Sequence, residues 1–295
     1  MVDNASKTAE YMALFRAMEA CYPSERRLFE DPFARSFLSV SLKIVSYIHC
    51  IPLIGAIVPW IIDKQWAGAR ASGIARTRLI DYLLIKALHE GIEQVVVLGA
   101  GYDCRAYRIP EIAGKKIFEV DHPHTLKVKR NLIHKILGEI PSHVVFAEID
   151  FNKQKLEDIL DLAGFDTTRR TFFIWEGVTN YLTGQAVDAT LRFVSSSAPG
   201  SYILFTYIHK GVIDAPEEFF KTKNLAKTLK KVGEPWTFGL KPDELPEYLK
   251  TRGLQLIDDI GSVEYRSRYM NRNGSHMKGY EFYRAALAKV GESDV

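Results

Sequence analysis

The sequence predicts an α/β fold in which a mostly parallel sheet carries helices on both faces, capped by an α-helical N-terminal segment and lid. Three observations predict it. Short apolar runs at 95–98, 117–120, 144–146, 172–175 and 202–207 alternate with stretches of helical periodicity, and continuous runs of this kind mark strands buried on both faces. Four of the runs lead into a glycine or an acid, at Gly99, Asp121, Asp150 and Glu176. The chain has 295 residues, 47% of them hydrophobic, which suffices for one large core without disulfides or metal.

Taken in order, residues 8–20 carry Tyr11, Leu14, Phe15 and Met18 at helical spacing. No charged residue falls between Ile44 and Ile62, nearly the length of about 20 residues that a membrane span requires. Pro52, Gly55 and Pro59 cut that stretch and His49 lies inside it. The expected form is therefore a helical hairpin acting as a lid, with contact at a membrane surface as the lesser reading and no integral span. A helix is expected over 76–90, from Leu79, Tyr82, Leu83 and Lys86, and another over 125–137, from Leu126, Leu132, Ile133 and Ile136. The organisation expected is a helical N-terminal segment and cap over 1–75 and a core over 76–295, with a cap insertion around 210–245. Segments 37–62 and 216–240 are expected to close over the site.

Charge and cysteine usage exclude several classes. The formal net charge is +3, from 39 basic and 36 acidic residues. The densest basic group, Lys127, Lys129 and Arg130, reads as the solvated face of a helix, so no nucleic-acid partner is expected. Cys21, Cys50 and Cys104 are odd in number and widely spaced, with no CxxC pair. Neither a disulfide framework nor a metal site is expected, and a reducing, cytoplasmic setting fits. Asp3, Asn4, Lys7 and Glu10 interrupt any apolar leader. Oligomeric state is left open.

In an open parallel sheet, ligands bind beyond the carboxyl ends of the strands. Any one acid there reads most simply as a solvated strand end or a helix cap; the set forms a pattern. Gly99 and Gly101 let the backbone turn tightly and approach a ligand with no Cβ in the way. Asp121, 22 residues after Gly99, stands where a carboxylate accepts from ribose hydroxyls. A nicotinamide-dinucleotide fold shares these features. However, the loop Leu98-Gly99-Ala100-Gly101-Tyr102-Asp103 is followed by Cys104, where a GxGxxG fingerprint has its third glycine. That favours a nucleoside without a pyrophosphate, such as S-adenosylmethionine.

At this point a family resemblance becomes specific. Ala75-Arg76-Thr77-Arg78, the run from Val96 to Arg105, Phe118-Glu119-Val120-Asp121, Glu148-Ile149-Asp150-Phe151 and the run from Trp175 to Leu182 occur in that order. Together with Gly233-Glu234-Pro235-Trp236 and Phe238-Gly239-Leu240, they resemble the bacterial branch of the leucine carboxyl methyltransferase family, over roughly residues 10–288. The resemblance implies a Rossmann-like sheet and S-adenosylmethionine as cofactor. It implies that Arg76, or Arg78 if the helix register slips, pairs with the methionyl carboxylate. Gly99, Ala100 and Gly101 would admit the methionyl and ribose portions, and Asp121 would take the ribose hydroxyls. Asp150 and Phe151 would hold the adenine, and Glu176 would lie near the methionyl ammonium. A basic cofactor contact in the N-terminal helix of eukaryotic members has Arg16 as its candidate here.

Methyl transfer from a sulfonium is an in-line displacement in which alignment supplies a large share of the rate. A carboxylate acceptor is ionised at neutral pH and needs no base; a hydroxyl needs one within hydrogen-bond reach. His209 and His276 are the candidate bases, each of which otherwise reads as a loop histidine. Tyr181 and Asn180 follow the fourth strand and would face the acceptor, a small and apolar molecule. The competing classes are a nicotinamide-dependent oxidoreductase, a non-catalytic nucleoside-binding protein and a membrane-associated interaction protein.

Overall fold

The computed structural model describes residues 7–151, 153–220, 222–231, 233, 235–270 and 278–291. Expected His276 lies outside them, as does Glu234. Among the described residues a seven-stranded sheet runs in the order β3-β2-β1-β4-β5-β7-β6. Its strands are β1 (Gln94–Leu98), β2 (Lys116–Asp121), β3 (Val144–Glu148), β4 (Thr171–Trp175), β5 (Tyr202–Ile208), β6 (Leu254–Gly261) and β7 (Tyr283–Val290). The first five pair in parallel, in the register Val96↔Phe118, Val96↔Phe173, Val120↔Ala147 and Ile174↔Leu204. The seventh runs antiparallel between β5 and β6, with Leu204 opposite Leu287. The parallel order reverses at β1, between β2 and β4, which opens a crevice beyond the carboxyl ends of those strands.

The helices follow from the intervening periodicity: α1 (Lys7–Glu19), α2 (Val40–His49), α3 (Ile57–Gln65), α4 (Ala69–His89), α5 (Arg105–Arg108), α6 (Pro123–Leu137), α7 (Leu156–Leu162), α8 (Gly184–Ser195), α9 (Gly211–Asp214), α10 (Thr222–Lys231), α11 (Leu245–Lys250) and α12 (Ser262–Tyr269). Three of the helix starts have a local cause. The fourth helix begins seven residues before the expected position, directly after Gly68 at φ 81°. The sixth starts on Pro123, whose missing N–H costs nothing at a helix start. The eighth is capped by Thr183, whose hydroxyl accepts the Ala186 N–H at 3.2 Å.

Strand residues alternate between two apolar layers. Val96, Leu98, Phe118, Phe173, Trp175 and Phe205 pack with α7, α8 and α11 on one face. Val95, Val97, Ile117, Phe172, Ile174 and Leu204 pack with Ile80, Leu84 and Leu88 of α4 on the other. Each of these fully buried large side chains contributes about 1.5–3 kcal/mol relative to exposure. A third cluster joins α1, α2 and α3 to Ile74, Tyr102 and Ile133.

Three expectations are corrected here. Cys21 and Cys50 form a disulfide across 29 residues, their Cα atoms 5.2 Å apart. The hairpin packs the end of α2 beside the end of α1, a proximity that linear spacing does not reveal. The pairing removes the cysteine argument for a reducing compartment. Lys129 is not on a solvated face: it is wholly buried, 2.8 Å from the Glu119 carboxylate. Burial pushes that carboxyl up to about 7 even beside the ammonium. The third strand ends at Glu148 rather than at Asp150. Among the described residues no helix is long and apolar enough to cross a membrane.

Candidate active site

The carboxyl ends of β1, β2 and β4 open into a cavity of about 750 Å³, within the size range of small-molecule sites. Its floor is the turn after β1. Gly99 stands at φ +68°, and a Cβ there would meet Val178 Cγ2 at 2.3 Å; Gly101 stands at φ +41°. Both conformations suit glycine and penalise other residues. The N–H groups of Gly99 and Ala100 donate to the Val120 carbonyl at 2.8 and 3.0 Å, which locks the turn to the second strand.

Asp121 completes this floor. One carboxylate oxygen accepts the Gly101 N–H at 2.6 Å and the other accepts the His122 N–H at 2.6 Å. Burial pushes the carboxyl upward, and the two N–H donors oppose it. Each oxygen retains capacity for a further donor. Beside it, Phe151 and Thr125 line the cavity.

The opposite end is ionic. Arg76 of α4 lies on the wall and donates from Nε to Glu176 Oε1 at 2.7 Å, with its guanidinium 4.9 Å from the Tyr283 ring centre. Arg105 donates to the other Glu176 oxygen at 3.0 Å and to Asp81 at 2.8 Å. It also donates to Asp103. Arg108 bonds Asp81 at 2.8 Å, and Arg16 bonds Asp31 at 2.8 Å and the Tyr102 carbonyl at 2.5 Å. Four arginines and four carboxylates thus form a buried, charge-balanced array tying α1, α4 and the turns after β1 and β4 together. Burial works against ionisation of Glu176, but Arg76 and Arg105 hold its carboxyl below the usual range. Burial likewise opposes ionisation of Asp103, yet Arg105 keeps that carboxyl at about 2.

The roof and far wall are largely apolar. They come from Tyr11, Met12 and Phe15 of α1, from Trp66, from Leu225 and Leu229 of α10, and from Trp236, Tyr181, Tyr280 and Tyr283. Tyr280 holds a positive φ of 61°, a conformation rare outside glycine.

The structure therefore gathers Arg76, Gly99, Ala100, Gly101, Asp121, Phe151, Glu176 and Tyr181 around one cavity. Arg78 is not on its wall, which distinguishes the two candidate arginines of α4. Three expected residues also stand off the wall. Asp150 lies beyond the strand end, its carboxylate 2.9 Å from Lys153. Asn180 is buried beneath the surface, and its carbonyl accepts the Thr237 N–H at 2.8 Å, holding the 235–238 segment in place. His209 accepts the Gly211 N–H at 3.1 Å through Nδ1 and packs against Phe219, because β5 carries it past the cavity. Segment 37–62 contributes nothing to the wall; α1 closes the site instead, since the hairpin packs on its outer side.

Sequence reasoning missed Arg105 as a hub and Tyr280 and Tyr283 as wall residues. The signals available were Asp103 and Arg105 flanking Cys104 and the aromatic run Tyr280, Phe282, Tyr283. Among the described residues no group of three or more His, Cys, Asp or Glu is placed to hold a metal ion.

The family model for leucine carboxyl methyltransferase matches residues 9–195. A protein of Frankia alni, provisionally named an S-adenosyl-L-methionine-dependent methyltransferase, is 31% identical over 70% of this chain and 70% of its own length. Bacillus subtilis YktD, named in the same provisional way, is 28% identical over 76% of this chain and 73% of its own. Among solved structures, a DUF574 family protein from Streptomyces avermitilis superposes with a TM-score of 0.57 at 15% identity, over 93% of this chain and 96% of its own. At that identity the likeness is one of fold.

Proposed function

The chain belongs to the leucine carboxyl methyltransferase family and is an S-adenosylmethionine-dependent methyltransferase; on that premise we propose that it methylates an oxygen of a small apolar acceptor, a carboxylate in preference to a hydroxyl. The observation that carries this reading is the division of the cavity. Its floor and ionic end offer Asp121, the glycine turn and Arg76; its roof and far wall come from Tyr11, Trp66, Leu229, Trp236 and Tyr280.

The residues of the floor and the ionic end fit the cofactor. A Cβ at Gly101 would come no closer than 3.8 Å to its neighbours, so the turn leaves room for close approach. Asp121 would take the ribose hydroxyls and Phe151 would lie against the adenine. Arg76 would pair with the methionyl carboxylate, aimed by Glu176, whose remaining lone pairs would receive the ammonium. When bound, S-adenosylmethionine supplies an electrophilic methyl group on a sulfonium.

This chain's own task is then to align and to exclude water. The first helix and the segment around Trp236 cover the site, which strengthens electrostatics inside it. A carboxylate acceptor, with a pKa near about 4, arrives ionised. The wall agrees with that choice. Its basic side chains are Lys7, Arg16, Arg76 and His122, and His122 adjoins Asp121 at the ribose end. Tyr280 is a poor base, since burial pushes its hydroxyl pKa upward. Tyr181 would orient the acceptor oxygen.

The deciding experiment incubates the enzyme with labelled S-adenosylmethionine and a metabolite extract and then treats the product with mild alkali. A methyl ester releases label as methanol; alkali-stable label on oxygen would replace the carboxylate by a hydroxyl. The rate should stay nearly flat from about pH 6 to 9, above the acceptor pKa of about 4. A histidine base would instead impose a rise near about pH 6.5.

A separate measurement isolates the ribose contact. Asp121→Ala should weaken S-adenosylhomocysteine binding roughly ten- to a hundredfold, the loss of hydrogen bonds to a charged group worth about 1.5–3 kcal/mol. Unaltered affinity in a folded variant would remove Asp121 from the cofactor site.

A further inference from the structure

The α2–α3 hairpin is apolar on the face that packs and also on the face that does not. Its inner residues, Val58 and Ile62 with the partly buried Leu42, Val45 and Ile48, join the N-terminal core cluster. Its outer face carries a second stripe. Val40, Ile44 and Tyr47 on α2 are spaced by four and three residues, and Ile57, Trp60 and Ile61 on α3 by three and one; all six are exposed. Between the two stripes lies the tip, where Leu53 is 100% exposed and Ile51 and Ile54 are about half exposed. A helix apolar all round is ordinarily buried or bound to something, and contiguous exposed apolar surface of this kind marks an interaction site.

Charge identifies what covers it. Residues 36–62 contain no acid. The cations that flank the stripes are Lys43 on α2, Lys64 at the end of α3 and Arg35 before α2. Lys64 Nζ stands 5.1 Å from the centre of the Trp60 ring, and the Arg35 guanidinium stands 4.4 Å from that of Tyr47. The acid of α3 itself, Asp63, pairs with Arg70 at 2.6 Å, and acids on neighbouring elements are engaged too: Glu10 accepts the Ser39 N–H at 2.6 Å, and Glu30 pairs with Arg27. An apolar face edged by cations, with Trp and Tyr at its border, matches the boundary between acyl chains and anionic headgroups. The tip is convex, and Leu53 holds its side chain outward from a left-handed backbone at φ 71°. A protruding apolar tip suits a deformable fluid surface rather than a preformed protein groove.

We infer that the α2–α3 hairpin docks this protein on the surface of an anionic lipid bilayer, inserting Ile51, Leu53 and Ile54 at the interface while Lys43 and Lys64 meet the headgroups. The hairpin lies outside the cavity wall, so the inference does not depend on the acceptor. Flotation with vesicles of phosphatidylcholine alone, or with phosphatidylglycerol added, tests it. Two basic residues at the surface should raise partition to the anionic vesicles by roughly tenfold or more, and high salt should reverse the gain. Leu53→Asp combined with Ile54→Asp should abolish flotation while leaving S-adenosylhomocysteine affinity unchanged, which certifies the fold. Lys43→Glu with Lys64→Glu should remove the preference for anionic vesicles. Absence of flotation with either vesicle, or equal partition to both, would overturn the inference. So would a concentration-dependent dimer that the tip variant dissociates, which would assign the face to a second copy of the chain.

Discussion

Exchanging Arg105 for methionine should cost about 3–5 kcal/mol of stability, the penalty for removing one partner from a buried ionic array. Its side chain is 4% exposed and reaches three carboxylates. Asp81 would keep Arg108 and Glu176 would keep Arg76, but Asp103 would lose its bonded cation. A balanced cluster would thereby acquire an uncompensated negative charge in a region of low dielectric. Denaturant unfolding measures the loss. The pH dependence carries a sign that distinguishes this cause from lost packing. In the wild type, burial opposes ionisation of Asp103 but Arg105 holds its carboxyl at about 2, down from 3.8. Its contribution is present above the unfolded value and disappears as pH falls through the folded one. The gap between wild type and variant should therefore narrow as pH falls from about 5 towards 2. A gap that stays constant over that range would assign the loss to packing. As a control, removing the exposed Arg268–Glu264 pair should change stability by only about 0.3–0.5 kcal/mol.

Arg76→Ala should weaken S-adenosylhomocysteine binding by at least roughly thirtyfold, since truncating one partner of a buried charged pair costs about 2–5 kcal/mol. The variant also deprives Glu176 of one of its two arginines, so a comparison is needed. Glu176→Gln keeps the guanidinium and removes the carboxylate charge. If Arg76 meets the methionyl carboxylate directly, the Glu176 variant should lose less affinity than the Arg76 variant. If Arg76 serves only to position Glu176, the two losses should be equal, and the direct contact would be abandoned. Arg76→Lys should fall between wild type and alanine, because a single ammonium cannot serve Glu176 and a ligand carboxylate with the geometry of a guanidinium.

How far the sequence alone carries depends on which interactions a residue makes. The parallel strands were legible because each is predominantly apolar, as burial on both faces demands, with Glu119 in β2 and Thr206 in β5 the polar exceptions inside the runs. The antiparallel pair was not. Asp258 and Asp259 lie within β6, and Ala285, Ala286 and Ala288 lie within β7, compositions that local propensity assigns elsewhere. The pairing is decided across strands: Asp259 accepts from Arg284 Nε and from Tyr207 at 2.9 Å each, which binds β6 and β7 to β5. The floor of the site was legible for a comparable reason. Gly99, Gly101 and Asp121 have roles set by backbone conformation and by their position at strand ends.

By itself, then, the sequence determined the parallel sheet, the glycine turn and the family, because periodicity, strand-end chemistry and motif order are properties of neighbours along the chain. Tertiary structure alone decided that Arg76 rather than Arg78 reaches the cavity, that His209 does not, and that Cys21 meets Cys50. It also decided that α1 closes the site while the apolar hairpin faces outward. Lys129 states the reason most directly: grouped with Lys127 and Arg130 it reads as solvated, yet α6 turns it inward onto Glu119. Whether a charge is buried depends on what packs over it from distant parts of the chain, and local sequence does not encode that.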